Sequence, residues 1–206
     1  MEIYHKYTER RSISDDAHSL PRHRKCSQTL KMVIIKHYSL EYNEKLNSFH
    51  VKSREKSYCP YCEESFKVIG SRKRIIFRQD GLKERIIIRK LQCCECHRIS
   101  HELPDIIIPY KRYEADVIAD VLDGTVSSQN DCCPAEHSTI QRWKLWFFLL
   151  HDYFEGAVRA LMELINIESF VVRIPLYPLS LQSDGWLKVL VRNLVNSGRW
   201  RQTRFA

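Results

Sequence analysis

Four cysteines stand at metal-ligand spacing. Cys59 and Cys62 form one C-x-x-C pair, Cys93 and Cys96 form a second, and residues 63–92 separate them. Each pair can close a tight knuckle. A hairpin in the interval would bring the knuckles together, so that four thiolates surround one Zn2+ in a closed tetrahedron. Pro60, inside the first knuckle, suits a rigid turn. A closed four-sulfur site leaves no position for water, so it stabilises a small fold and does not catalyse. A thioredoxin-like redox pair needs only one C-x-x-C in a βαβ setting, which is absent. Other assignments use neighbouring residues: Cys94 with Cys96 as a C-x-C pair, or His97 or His101 in place of a thiolate. The cysteines could also be buried without a ligand. Cys26, Cys132 and Cys133 lack partners at metal spacing and read as structural or incidental.

Basic residues crowd the interval between the knuckles. Within residues 67–92, Lys67, Arg72, Lys73, Arg74, Arg78, Lys83, Arg85, Arg89 and Lys90 are opposed only by Asp80 and Glu84. The whole chain of 206 residues carries a formal net charge of +8. That balance favours an acidic partner, DNA first. Arg72, Lys73, Arg74 and Arg89 are expected to meet phosphates. The plain alternative is a solvated strand face.

"EHSTIQRWKLWF" is the second stretch with DNA-binding chemistry. Ser138 can cap a helix there, with Gln141 completing a capping box. Ile140, Trp143, Phe147 and Leu150 share a core side, and Ser138, Gln141 and Arg142 lie opposite. Glutamine can pair with adenine and arginine with guanine in a major groove. The alternative is an amphipathic helix with a polar edge. Leu145 and Leu149 fall on the polar side, so the helix is apolar nearly all round beyond its second turn. It should pack against another element, such as the helix near Trp186, or against a second chain in a homodimer.

The elements that position these residues follow from pattern. Residues 1–31 are polar, without a clear period or the apolar core of a secretory signal, and are expected to form a disordered extension. Residues 32–105 are expected to hold a strand from Met32, a short helix or loop to about residue 56, and the zinc ribbon. "SFKVIGSRKRIIFRQ" and "KERIIIRKLQ" should be the hairpin arms, turning at Asp80-Gly81, with a bulge or break at Gly70. Pro104 and Pro109 mark an extended linker. Residues 106–206 are expected to be helical. Segments begin near Tyr113, Ser138 and Asp184; the second ends near Ile165 with a break at Gly156, and "FVVRIPLYPLS" is extended. The predicted fold class is therefore α+β: a small antiparallel zinc ribbon followed by an α-helical domain resembling a helix-turn-helix.

Two function classes are disfavoured. The longest apolar run is interrupted by Lys144, His151, Asp152, Glu155 and Arg159, so it does not read as a membrane span. A transposase active site needs three carboxylates holding two metal ions on a nuclease-type sheet. Carboxylates after residue 113 are scattered along helices, and the chain left is too short for such a domain. The chain reads as a cytoplasmic non-enzyme.

"CPYCEESFKVIGSRKR", "RKLQCCECHRISHELPDIIIPYKRY" and "STIQRWKLWF" resemble a bacterial family associated with insertion-sequence transposases. The resemblance covers roughly residues 32–206 and is most specific in the ribbon and the H-E-L-P-D…P-Y-K-R-Y stretch. It implies Cys59, Cys62, Cys93 and Cys96 as metal ligands. It departs at His97, where a glycine is usual after the second knuckle, and at Cys94, where a polar residue is usual. The implied setting is a zinc- and DNA-binding accessory or regulator of a mobile element, with a transposase as a possible partner. The alternatives are a zinc-ribbon protein-interaction module and a transposase fragment lacking a catalytic domain.

Overall fold

The computed structural model describes residues 31–125, 133–164 and 185–201. Its strands are β1 (Lys31–Ile35), β2 (Tyr38–Asn43), β3 (Ser48–Ser53), β4 (Phe66–Phe77), β5 (Lys83–Cys93) and β6 (Ile99–Pro104). Its helices are α1 (Ala115–Leu122), α2 (His137–Leu164) and α3 (Trp186–Asn196). The expected extension lies outside the described residues except for Lys31, which opens β1. "FVVRIPLYPLS", Cys26 and Cys132 also lie outside them.

The long strand β5 organises the sheet. One edge pairs antiparallel with β4 from Phe66↔Cys93 to Phe77↔Lys83. The other edge is shared. Phe49 and His50 of β3 run parallel beside Ile86 and Ile87, and β6 pairs antiparallel with Lys90–Gln92. β1 then adds parallel to β6, and β2 pairs with β3. The result is one curled, mixed sheet in the order β1-β6-β5-β3-β2, with β4 branching from β5.

The hairpin turns at Asp80-Gly81 as its sequence requires; Gly81 has φ 81° and the Leu82 N–H bonds to the Asp80 carboxylate at 2.8 Å. At Gly70 (φ 156°) the β4–β5 register shifts, a bulge that only glycine accommodates cheaply.

This architecture overturns the expected small antiparallel ribbon followed by a helix-turn-helix domain. The physical reason is burial. Ile86 and Ile88 on β5 are fully buried, and an isolated hairpin offers nothing to cover them. They enter one core with Ile34 and Ile35 of β1, Leu103 of β6 and the inner sides of all three helices. That core includes residues on both sides of position 105. The stretch after Leu40, expected as a short helix or loop to about residue 56, is helical only in the single 3-10 turn Glu44–Leu46, which connects the two strands of the β2–β3 hairpin. The helices do not form a helix-turn-helix: residues 123–136 separate α1 from α2, and α2 runs unbroken through Gly156. α2 begins at His137, so Ser138 lies inside its first turn and does not cap it.

The far end of the chain closes the sheet edge. Asn196, at the end of α3, accepts from the Ile34 N–H and donates to the Ile34 carbonyl, each at 2.8 Å. Its amide imitates a neighbouring strand, so the exposed edge of β1 is satisfied there.

Candidate metal centre

Two chain reversals carry the four cysteines. In the first, the Cys59 N–H donates to the Glu64 carbonyl at 2.8 Å; in the second, the Cys93 N–H donates to the Arg98 carbonyl at 3.0 Å. The two loops share a geometry. The residue after the second cysteine is left-handed in each: Glu63 at φ 59° and His97 at φ 57°. That conformation costs a side-chain-bearing residue about 1 kcal/mol, and glycine would avoid it.

Strand pairing brings the loops together. Phe66 pairs with Cys93, and the Cys94 N–H donates to the Ser65 carbonyl at 3.0 Å. The sulfurs of Cys59, Cys62, Cys93 and Cys96 then all lie within 4.8 Å of one another. Cys59 Sγ is 3.6 Å from Cys96 Sγ, and Cys62 Sγ is 3.4 Å from Cys93 Sγ. A zinc tetrathiolate with Zn–S near 2.3 Å has sulfur–sulfur edges of about 3.8 Å. The cluster is the size of such a shell and could hold a metal ion. Cys94 and His97 are exposed and lie outside it, and the buried His101 lies outside it too.

The thiols respond to their surroundings. Burial pushes Cys93 up, but the backbone N–H groups of Cys96 and Glu95, with neighbouring thiols, outweigh it and bring it down to about 7. For Cys62 the Glu64 N–H pulls downward, yet burial and the three other thiols carry it up to about 12. Burial likewise raises Cys59. Four thiols crowded this closely cannot all ionise without a cation among them.

The cluster is anchored to the sheet. Ser57, two residues before Cys59, donates its hydroxyl to Glu102 at 2.9 Å. Arg89 of β5 donates to the same carboxylate from Nε and Nη2. The Arg98 guanidinium lies 4.3 Å over the Tyr61 ring, joining the two loops directly. Glu102 escaped sequence reasoning; its one signal is a lone carboxylate in the strand stretch between Ile99 and Leu103.

The predicted DNA-contact residues are dispersed. Strand alternation puts Arg72 and Arg74 on one side of the sheet and Lys73 and Arg89 on the other. Arg89 is engaged by Glu102. Ser138, Gln141 and Arg142 are exposed on the first turns of α2, followed by the exposed side chains Leu145, Phe148 and Leu149.

No curated protein and no solved structure matches the chain. A family model described as a domain of unknown function (DUF6431) matches residues 59–143, a span from the first cysteine of the cluster to Trp143 in α2.

Proposed function

We propose that the chain is a zinc- and DNA-binding protein of a mobile element, acting as a transposition accessory or regulator and performing no strand chemistry. The observation that carries this reading is the closed four-sulfur cluster at the base of a hairpin rich in arginine and lysine. Four cysteine thiolates in a tetrahedral shell suit zinc, which is redox-inert and serves to lock the two loops. The hairpin that this lock holds presents uncompensated positive charge, which DNA phosphates would neutralise. The mobile-element setting, with a transposase as candidate partner, rests on the sequence resemblance. A cytoplasmic location belongs to the same proposal; among the described residues no helix is long and apolar enough to cross a membrane.

Fluorescence anisotropy of the zinc-loaded chain with duplex DNA tests the reading. Binding should be seen at low salt, its log affinity falling linearly with log salt concentration. Removing the metal with a chelator should abolish it. Absence of binding by the zinc-loaded chain at low salt would overturn the DNA reading.

One observation favours a protein-interaction module as the second reading. Leu145, Phe148 and Leu149 are more than half exposed on one side of α2. Self-association through that patch, without DNA binding, is its expected signature.

A further inference from the structure

One face of the sheet changes from apolar to basic along its strands. On β4, Ile76, Arg74 and Arg72 alternate to the same side, and register sets Arg74 beside Ile86 and Arg72 beside Ile88 of β5. Two residues past Ile88 on that side is Lys90, which pairs with His101 of β6. Ile76, Ile86 and Ile88 are buried in the core. Arg72, Arg74, Lys90 and His101 continue the same face beyond it.

The other arginines of this hairpin separate into paired and unpaired. Arg78 is bound by Glu84 and Glu114, and Arg89 by Glu102. Among the described residues no carboxylate pairs with Arg72, Arg74 or Lys90. Arg74 Nε is buried with no hydrogen-bond partner. His101 is 3% exposed. Burial first, then the positive charges of Arg72, Arg74 and Lys90, push it down to about 4, so three cations bear on one neutral imidazole.

Arg74 holds an unpaired, partly desolvated guanidinium with the exposed Arg72 next to it on the same face, and an arriving anion relieves the cost of that charge. The arginine fork matches two phosphate oxygens at once. Same-side neighbours on a strand are about 6.7 Å apart, and the next strand lies about 4.8 Å away. Cations at such intervals suit a row of phosphates better than a single one.

We infer that Arg72, Arg74 and Lys90, with His101 beside them, form a track for the phosphodiester backbone of DNA. The inference rests on the DNA-binding reading above and narrows it: the contact comes from this face, and Lys73 and Arg85 on the opposite face take no part.

Affinity of the full zinc-loaded chain for one duplex, measured across salt concentrations, tests this. Arg72→Gln, Arg74→Gln and Lys90→Gln should each reduce the magnitude of the salt slope by about 0.9, the value for one lost phosphate contact. Lys73→Gln and Arg85→Gln remove the same charge and should leave the slope unchanged. Arg74→Lys keeps the charge and should keep the slope, separating phosphate binding from folding. On the unaltered chain, DNA should protect Lys90 from acylation and leave Lys73 reactive. Equal effects of substitutions on the two faces, or Lys90 unprotected in the DNA complex, would overturn the track while leaving DNA binding intact. No binding by the unaltered chain at low salt would remove both.

Discussion

The Arg89 guanidinium grips the fully buried Glu102 carboxylate across β5 and β6, with Nε donating at 2.6 Å and Nη2 at 2.7 Å. Ser57 adds a third bond to the same carboxylate from just before Cys59. One acidic side chain thus joins the hairpin, β6 and the approach to the metal-site loop.

Removing the cation should leave a buried charge without its partner. Arg89→Ala is expected to cost about 3 kcal/mol, the low end for a broken buried pair because the guanidinium is itself partly exposed. Arg89→Lys, which keeps the charge but not the two-bonded fork, should fall between. Urea denaturation of the metal-loaded protein measures both. An Arg89→Ala midpoint equal to that of the unaltered chain would refute the clamp.

The cysteines should divide cleanly. Cys59→Ser, Cys62→Ser, Cys93→Ser and Cys96→Ser should each lose the metal and much of the stability, because the loops have no other cation to hold them. Cys94→Ser should bind one metal per chain as before. Metal analysis of the purified variants decides it; loss of metal from Cys94→Ser with retention in Cys93→Ser would reverse the assignment.

The left-handed residues offer a gain. Glu63→Gly and His97→Gly relieve strain in the folded loops but loosen the unfolded chain. A net stabilisation of up to about 1 kcal/mol per site is expected, read as a higher denaturation midpoint. Clear destabilisation by both would show that their side chains matter more than their backbone angles.

Local chemistry was legible in the sequence, and tertiary partnership was not. Two C-x-x-C pairs and a turn at Asp80-Gly81 define the cluster and its hairpin because both signals are local. Gly70 marked the bulge for the same reason. The β2–β3 hairpin leaves a weaker local signal: Tyr38, Leu40 and Tyr42 alternate with polar residues, as do Phe49 and Val51, but the strands are short and the Glu44–Leu46 connection carries no glycine or proline to mark a turn. The parallel pairing of β1 with β6 and the grip of Asn196 on Ile34 depend on residues far apart in the chain. No local pattern encodes them. A good amphipathic helix predicts α2 and its packing on the helix at Trp186, where Phe147 meets Trp186 at 5.6 Å, but no local pattern sets a partner helix at turn distance before it, and there the expected helix-turn-helix failed. The basic residues were visible as a group, whereas their division between two sheet faces required the register.

His101 should make stability depend on pH. Its pKa is about 4 when folded against 6.5 ordinarily, so the unfolded chain binds more protons between those values. Its contribution is complete above about pH 6.5 and is lost as pH falls toward 4, amounting to roughly 3 kcal/mol. His101→Gln should remove this part of the acid sensitivity. The difference between the two denaturation-versus-pH curves isolates it from thiol protonation at the cluster. Parallel curves would show that His101 titrates normally.

X-ray absorption at the zinc edge of the purified protein tests the central claim most directly. Four sulfur neighbours at about 2.3 Å are expected, with no nitrogen or oxygen in the inner shell. A protein without metal, whose Cys59–Cys96 and Cys62–Cys93 pairs are disulfides, or a zinc bound through imidazole or water, would contradict the closed four-cysteine site.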